Sequence, residues 1–117
     1  MFRTDKEFNK VYINKGYTDL RLGIDGLARL IGENYNLNPY DKGTLFLFCG
    51  RRKDRIKGLL WQGDGFLLLY KRLEDGKFQW PRDKDELDQM TLDQYFNLMN
   101  GLTVYSTIKS VSPTQVG

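Results

Sequence analysis

The chain has 117 residues, of which 40% are hydrophobic and 14% aromatic, a size and composition typical of one folded domain. It contains no histidine and one cysteine, which excludes histidine-based catalytic triads, conventional zinc sites and intrachain disulfides. The net charge is only +3, so a strongly basic surface requires uneven placement of charge along the chain. The polar N-terminus MFRTDKEFNKVY and the lack of a long apolar run predict a cytoplasmic protein without membrane contact.

The first two predicted elements are a strand and a helix. The segment KVYIN predicts a strand over 10–14, and a glycine turn follows it. Thr18 or Asp19 is a candidate N-cap, and apolar residues then recur at helical spacing, which predicts a helix over Asp19–Asn34. Pro39 cannot continue a helix, so NLNPYDKG is predicted to be a loop.

The middle of the chain is predicted to form four antiparallel strands. Their segments are TLFLFCG, RIKGLLWQ, GFLLLYKRLE and KFQWP, which together span about 44–80 as a meander. Asp-Gly pairs separate the last three strands and are typical of type I′ hairpin turns, because these turns need positive φ at both central residues. A turn at Asp64–Gly65 places Trp61 opposite Leu68, and a register shifted by two changes the partners but keeps the faces.

Period-two alternation divides the side chains of the second and third predicted strands between two faces of the sheet. One face is mainly apolar and is the predicted core; it carries Ile56, Leu60, Leu67, Leu69, Lys71 and Leu73. The other face changes from apolar near the Asp64 turn to basic near residues 51–54; it carries Lys57, Leu59, Trp61, Leu68, Tyr70 and Arg72.

The C-terminal part is predicted to contain a second helix. The acidic segment PRDKDELDQM predicts a connection, and MTLDQYFNLMNG predicts a helix with Thr91 as its cap and Gly101 as its stop. The segment TVYSTIKSV is a candidate added strand, and residues 113–117 are expected to be a flexible tail. The predicted fold class is α+β: a single domain over 1–112 in which an antiparallel β-meander of about four to five strands packs with two helices.

Positive charge is concentrated in the segment GRRKDRIKG at 50–58, which we call the basic hairpin. Residues 51–82 carry nine basic and four acidic residues, a net charge of +5, whereas 83–100 carry one basic and five acidic residues, a net charge of −4. Cations neutralise phosphates and aromatic rings stack on bases, so a basic surface beside aromatic residues is typical of nucleic-acid contact. The alternative is a solvated hairpin tip whose charges prevent aggregation of strand edges. The predicted nucleic-acid-binding residues are Arg51, Arg52, Lys53, Arg55, Lys57, Tyr70, Lys71 and Arg72.

Acidic and aromatic residues outside the basic hairpin suggest other kinds of site. The acidic stretch Asp83–Asp88 has three possible interpretations. It could be a docking surface for a basic partner, a surface for self-association with the basic hairpin, or a polar linker. Trp61 and Trp80 are candidate partner-binding residues, expected on exposed aromatic surface. The carboxylates are scattered along the chain, so no catalytic residue, metal site or cofactor is predicted.

Five sets of motifs in the chain are similar to a known family. They are TDLR with DGL, RRKDRIK, WQGDGF, YKRLE and FQWP. They resemble the accessory protein of bacterial transposons of the insertion sequence 66 family, often called TnpB and unrelated to the RNA-guided nuclease of that name, over about Val11–Leu102. Gln62 departs from the pattern, because the family usually has aspartate in Trp-Asp-Gly, and this argues against an essential carboxylate there.

The resemblance implies a role in DNA transposition beside a separate, larger transposase, and it supplies no catalytic residue. Two functions stay open. The chain is a non-enzymatic accessory protein that contacts transposon DNA through the basic hairpin, or an interaction module that docks on the transposase without binding DNA. An enzyme would require metal-dependent chemistry from unclustered carboxylates and is not expected. Strand edges leave a homodimer open as a third kind of partnership.

Overall fold

In the computed structural model, which describes residues 8–82 and 85–101, five strands form one sheet flanked by two helices. The predicted α+β class is confirmed. The candidate strand TVYSTIKSV and the domain boundary at residue 112 lie outside the described residues. In chain order the elements are β1 (Lys10–Asn14), α1 (Ile24–Arg29, continued by a π-helical turn, Leu30–Asn34), β2 (Thr44–Cys49), β3 (Arg55–Trp61), β4 (Phe66–Arg72), β5 (Leu87–Met90) and α2 (Leu92–Met99).

The sheet has the strand order β4-β3-β2-β1-β5 and is antiparallel except between β1 and β2. These two strands run parallel, with Val11 opposite Leu45, and α1 lies in the connection that returns the chain to the same end of the sheet. Every residue of β2 is buried, as is typical of a central strand that is covered on both faces. The predicted meander did not include this parallel pair.

Helix α1 begins at Ile24, later than the predicted start at Asp19, although its predicted end is confirmed by the π-helical turn. The carboxylate of Asp19 accepts a hydrogen bond from the backbone N–H of Arg21 at 3.0 Å, which closes a turn before the helix. The hydroxyl of Thr18 accepts a hydrogen bond from Nδ2 of Asn14 at 2.8 Å. The two candidate caps therefore serve the preceding loop instead of the helix.

Strands β3 and β4 form the predicted hairpin in the shifted register. Trp61 lies opposite Phe66, and Lys57 lies opposite Tyr70. Because the shift is by two residues, the predicted division of side chains between the two faces is confirmed.

The turn of this hairpin differs from the predicted type I′ turn at Asp64–Gly65. The backbone N–H of Gln62 donates to the carbonyl oxygen of Gly65 at 2.9 Å, in register with the Trp61–Phe66 pair, so the two central residues of the turn are Gly63 and Asp64. The left-handed backbone lies at Gly63, with φ 100°, and not at the predicted pair. The predicted turn is therefore wrong by one residue in position, and positive φ at the first central residue alone is typical of a type II′ turn instead of type I′.

Apolar side chains form a core on each side of the sheet. We call the core beneath α2 the α2-side core. It includes Ile56, from the predicted core face of the β3–β4 hairpin, and Tyr95 of the helix. The core beneath α1, the α1-side core, contains Leu27 of the helix and Leu59 of the opposite hairpin face. The apolar end of that second face is thus buried as well, because α1 covers it.

The segment KFQWP does not form the predicted fourth strand of the meander. The chain passes Gly76, with φ 90°, and the backbone N–H of Phe78 then donates to the carbonyl oxygen of Lys53 at 2.7 Å. Phe78 and Trp80 are buried in the α2-side core, whereas Gln79 between them is exposed. The alternation of apolar and polar residues that suggested a strand therefore reflects alternating burial. The segment does not form backbone hydrogen bonds of a β-sheet with β4.

The acidic segment 81–90 contains a strand where a connection was predicted. Strand β5 lies at the edge of the sheet and pairs antiparallel with β1. Nζ of the buried Lys15 lies 3.0 Å from the carboxylate of Asp88 and 3.5 Å from that of Glu86. These two carboxylates are therefore paired within the chain itself.

Helix α2 begins and ends as predicted. The hydroxyl of Thr91 accepts a hydrogen bond from the N–H of Gln94 at 3.0 Å, and Oε1 of Gln94 accepts from the N–H of Thr91 at 2.8 Å. This reciprocal pair is a capping box. Gly101 follows the helix with φ 88°, the left-handed conformation that is typical of glycine after a helix.

Candidate nucleic-acid interface

The basic hairpin connects β2 to β3 through a short turn. The N–H of Gly50 donates to the carbonyl oxygen of Arg55, and the N–H of Lys53 donates to that of Gly50, both at 3.3 Å. Lys53 has φ 66°, a left-handed conformation that costs an L-residue roughly 1–2 kcal/mol. Arg51 and Arg52 are exposed at the tip. Because β2 and β3 are anchored in both cores, the tip is fixed to the most buried part of the sheet.

An open cleft of about 980 Å³, which we call the basic cleft, lies between the basic hairpin and the segment 17–21 after β1. The N–H of Thr18 donates to the carbonyl oxygen of Cys49 at 2.8 Å, which ties this segment to the end of β2. The two walls of the cleft therefore come from distant parts of the sequence. The lining residues are Tyr17, Thr18, Asp19, Leu20, Arg21, Gly50, Arg51, Arg52, Asp54, Arg55, Lys57, Leu68 and Tyr70.

Tyr17 connects the two walls. The guanidinium of Arg51 lies 4.1 Å from the centroid of the Tyr17 ring, and its Nη2 donates to the Tyr17 hydroxyl at 2.8 Å. The guanidinium of Arg82 lies 5.8 Å from the same ring, and its Nη2 donates to the backbone carbonyl oxygen of Gly50. Cation–π contacts at exposed sites contribute about 0.5–1 kcal/mol, so these contacts orient Arg51 without locking it.

Two carboxylates in the cleft are paired with neighbouring arginines. Asp19 accepts a hydrogen bond from Nη2 of Arg21 at 2.9 Å, and this bonding lowers the pKa of Asp19 to about 2. Asp54 accepts from Nε of Arg55 at 3.0 Å, and this bond likewise lowers the pKa of Asp54. Both carboxylates are ionised at neutral pH, and the adjacent arginines offset their charge.

The remaining cations give the cleft a net positive charge. Within the described residues, Arg51, Arg52 and Lys57 make no ion pair with a carboxylate. Nζ of Lys57 donates to the carbonyl oxygen of Leu22 at 2.9 Å and lies 5.9 Å from the ring centroid of Tyr70. The Tyr70 residue is 54% exposed. Cations without carboxylate partners beside an exposed ring are the combination that binds phosphates and bases.

Five of the eight predicted nucleic-acid-binding residues line the basic cleft, and Lys53 lies at the hairpin tip. Lys71 lies on the opposite face of β4, where it lines a second cavity beside α2. Arg72 is on the cleft-side face but pairs with Glu74 at 3.0 Å and is not among the lining residues. The sheet therefore separates Lys71 from the predicted cations of the basic cleft, whereas Tyr70, on the edge strand, lines both cavities.

The two predicted partner-binding tryptophans have different environments. Trp80 is 3% exposed and its Nε1 donates to the carbonyl oxygen of Asn14 at 2.7 Å, so the expected exposed indole is wrong. Trp61 lies at the other end of β3, with ring centroids 5.0 Å from Tyr40 and 4.9 Å from Phe66. Tyr40 is 55% exposed, so these three residues, which we call the aromatic cluster, present apolar surface away from the basic hairpin.

Tyr17, Arg21 and Arg82 contribute to the site but were not predicted. None of them lies in the basic run 50–58, and no periodicity or short motif connects them to it. Arg82 reaches the hairpin because buried Phe78 and Trp80 hold the preceding segment against the sheet. Tertiary packing, not local pattern, completes the cleft.

Other kinds of site have little support in the described part of the chain. Within residues 8–82 and 85–101, no three cysteine or carboxylate side chains gather into a metal-binding group. No described helix is long and apolar enough to cross a membrane. Cys49 is buried, and burial raises the pKa of its thiol to about 11, which disfavours the nucleophilic thiolate.

Comparison with known proteins gives the family of the chain. The IS66 Orf2-like protein family matches residues 9–109. Two relatives are uncharacterized proteins of Sinorhizobium fredii (strain NBRC 101917 / NGR234). One, y4hO, is 35% identical over 108 residues, 92% of this chain and 93% of y4hO. The other, y4jC, is 38% identical over 84 residues, 72% of this chain and 71% of y4jC. No solved structure gives a significant match. The chain therefore belongs to the IS66 Orf2-like protein family, whose role is accessory to transposition.

Proposed function

We propose that this chain is a non-enzymatic accessory protein for DNA transposition that contacts DNA through the basic hairpin. The observation that carries the proposal is the basic cleft, where Arg51, Arg52 and Lys57 lack carboxylate partners among the described residues. Family membership supplies the transposition context. The cleft supplies a surface of the right charge, held by β2, which is buried throughout, and by β3, which contributes to both cores.

Binding through these side chains would involve mainly phosphates. Arginine presents a planar donor group that suits phosphate oxygens, and it remains charged at every physiological pH. Phosphate contacts carry little sequence information, and they release counterions, so affinity falls steeply as salt concentration rises. The proposal therefore includes strong dependence on salt and weak dependence on sequence.

A titration of labelled duplex DNA followed by fluorescence anisotropy tests this proposal. The test variant is Arg51→Gln with Arg52→Gln, which removes two exposed positive charges from the hairpin tip. The matched control is Arg29→Gln with Lys42→Gln, which removes the same charge at exposed positions that do not line the basic cleft. Wild type and both variants are compared at low and moderate salt.

The test variant should bind more weakly, and its plot of log affinity against log salt should be shallower by about 0.9 for each phosphate that it no longer neutralises. The control pair should retain the wild-type slope, because its charges lie away from the DNA. Equal weakening of both variants would mean that only net charge matters, which contradicts a localised DNA-binding surface. The absence of duplex binding by wild type at low salt would reject direct duplex binding by the isolated protein.

The aromatic cluster favours a second function, docking on a separate transposase. Its ring centroids lie about 5 Å apart, Tyr40 is 55% exposed, and aromatic residues are enriched where protein interfaces gain most of their binding energy. Pull-down of the transposase after nuclease treatment would test docking independently of DNA. Tyr40→Ala should abolish the capture, whereas Arg51→Gln with Arg52→Gln should leave it unchanged. The reverse pattern would exclude this surface as the docking site.

A further inference from the structure

We infer that the basic cleft binds unpaired nucleotides of DNA, with a base stacked on Tyr70 and the adjoining phosphates held by Arg51, Arg52 and Lys57. This inference rests on the proposed function and specifies the form of DNA that the same site takes. Two exposed tyrosines, Tyr17 and Tyr70, line the cleft, and the inference follows from the position of Tyr70 and not from positive charge alone.

The ring of Tyr70 is placed to receive a ligand. Tyr70 lies on β4, the edge strand of the sheet, and its side chain belongs to the face that lines the basic cleft. The residue is 54% exposed even though Leu68 and Leu59, on the same face, pack in the α1-side core. Nζ of Lys57, its cross-strand partner, lies over the ring at 5.9 Å from the centroid, so a cation stands beside the position where a base would stack.

Tyr17 has a different role from Tyr70. Its ring is already in contact with the guanidinium of Arg51, 4.1 Å from the centroid, and its hydroxyl accepts from the same arginine. Tyr17 thus positions a phosphate-binding cation of the basic hairpin, while Tyr70 presents an aromatic ring to the same cleft from β4. Stacked bases flanked by cations are the usual arrangement in proteins that bind single-stranded nucleic acid.

The shape of the site distinguishes unpaired from paired DNA. A cleft of about 980 Å³ is at the upper end of the range for small-molecule sites, which is about 300–1,000 Å³, so it has room for an unpaired nucleotide. In a duplex the bases are stacked on one another, and a base reaches a ring inside a cleft only after it has left the stack, which lowers the affinity for the duplex. A single strand has no paired partner to lose, so the same interactions give it the higher affinity.

The test compares a single strand of about 16 nucleotides, an upper value for one such site, with the duplex of the same sequence. The full chain is titrated into each labelled DNA at the same salt concentration. The variants are Tyr70→Leu, which removes the ring, and Tyr70→Phe, which keeps it. The control is Phe96→Leu, which removes a 43%-exposed ring from α2 on the opposite side of the sheet. Circular dichroism confirms that each variant is folded.

Wild type should bind the single strand more tightly than the duplex. Tyr70→Leu should weaken single-strand binding about 10-fold, a typical loss for one stacked base, while Tyr70→Phe and Phe96→Leu stay within about two-fold of wild type. Duplex binding should change less than about two-fold in all three variants, since it depends on the cations.

Three results would overturn the inference. Wild type that prefers the duplex, or binds both forms equally, keeps the proposed function and rejects unpaired nucleotides. A single-strand preference that survives Tyr70→Leu rejects Tyr70 as the stacking residue. Wild type that binds neither form rejects the proposed DNA binding together with the inference.

Discussion

The indole Nε1 of Trp80 donates a 2.7 Å hydrogen bond to the backbone carbonyl oxygen of Asn14, at the end of β1. The bond is buried and joins residues 66 positions apart in the sequence. It fixes the segment that follows β4 against the edge of the basic cleft, where Arg82 then contacts the hairpin. One buried side chain thus links the fold to the candidate site.

Loss of this hydrogen bond should destabilise the protein. Trp80→Phe removes the donor from a buried acceptor, which costs about 1–3 kcal/mol in the free energy of unfolding, and further loss comes from the space left by the smaller ring. Urea unfolding followed by circular dichroism measures the change. Trp61→Phe is the control, because Trp61 is only partly buried and its indole makes no hydrogen bond within the described residues. Equal destabilisation of the two variants would contradict a special role for the bond to Asn14.

The capping box at the start of α2 should contribute measurably to stability. Thr91→Ala removes the side-chain acceptor for the N–H of Gln94 and should lower the free energy of unfolding by about 1 kcal/mol. Thr91→Ser keeps the hydroxyl and should recover most of that loss. The midpoints of urea unfolding of wild type and the two variants measure these differences. An alanine variant as stable as wild type would show that water can replace the capping hydrogen bonds.

Tyr95 should make the protein sensitive to alkaline pH. Its ring is buried, its hydroxyl has no hydrogen-bond partner within the described residues, and burial raises its pKa to about 12. An unfolded tyrosine has a pKa of about 10, so the stability linked to this group is fully present below pH 10 and is lost as pH rises towards 12. The loss amounts to about 2–3 kcal/mol at the upper end.

Phenylalanine at this position should remove the effect. Tyr95→Phe should be as stable as wild type at pH 7, or slightly more stable, because it deletes an unpartnered hydroxyl. Its advantage over wild type should then grow with pH above about 10. Tyr35, whose pKa is also raised, is present in both proteins and cancels from the comparison. A difference that stays constant with pH would contradict this assignment.

Replacing Lys53 with asparagine should raise the stability of the protein and weaken its binding to DNA. Asparagine tolerates this conformation better than lysine, so Lys53→Asn should stabilise the protein by about 0.5–1 kcal/mol. Both Lys53→Asn and Lys53→Gln remove the charge, and both should weaken duplex binding to the same extent. Only the asparagine variant should show the gain in urea unfolding. An equal gain in the two variants would attribute it to reduced charge repulsion.

The side of the sheet on which a cation lies should decide its effect on DNA binding. Lys71 lines the cavity beside α2, whereas Arg52 lies on the basic cleft. Lys71→Gln should therefore keep duplex affinity within about two-fold of wild type, while Arg52→Gln weakens it several-fold. Both substitutions remove one positive charge, so anisotropy titrations compare them directly. A larger effect of Lys71→Gln would place the DNA on the other face of the sheet.

Local patterns determined much of the fold. The strand at 10–14, the β3–β4 faces and the second helix follow from period-two alternation and from the capping residues Thr91 and Gln94. These signals are strong because the interactions that produce them join residues close in sequence. The basic hairpin was predictable for the same reason, since its charge lies in one short run between two strands.

Only the tertiary structure decided how distant segments meet. Three features depend on which apolar surfaces of the whole chain pack together in the two cores. They are the parallel pairing of β1 with β2, the strand in the acidic segment and the burial of KFQWP. The same packing buries Trp80 and places the Tyr17 ring against the guanidinium of Arg51. Because the free energy of such packing depends on surfaces assembled from the whole chain, no short stretch of sequence encodes it. The positive charge of the basic cleft could therefore be predicted from the sequence, whereas the shape of the cleft depends on tertiary packing.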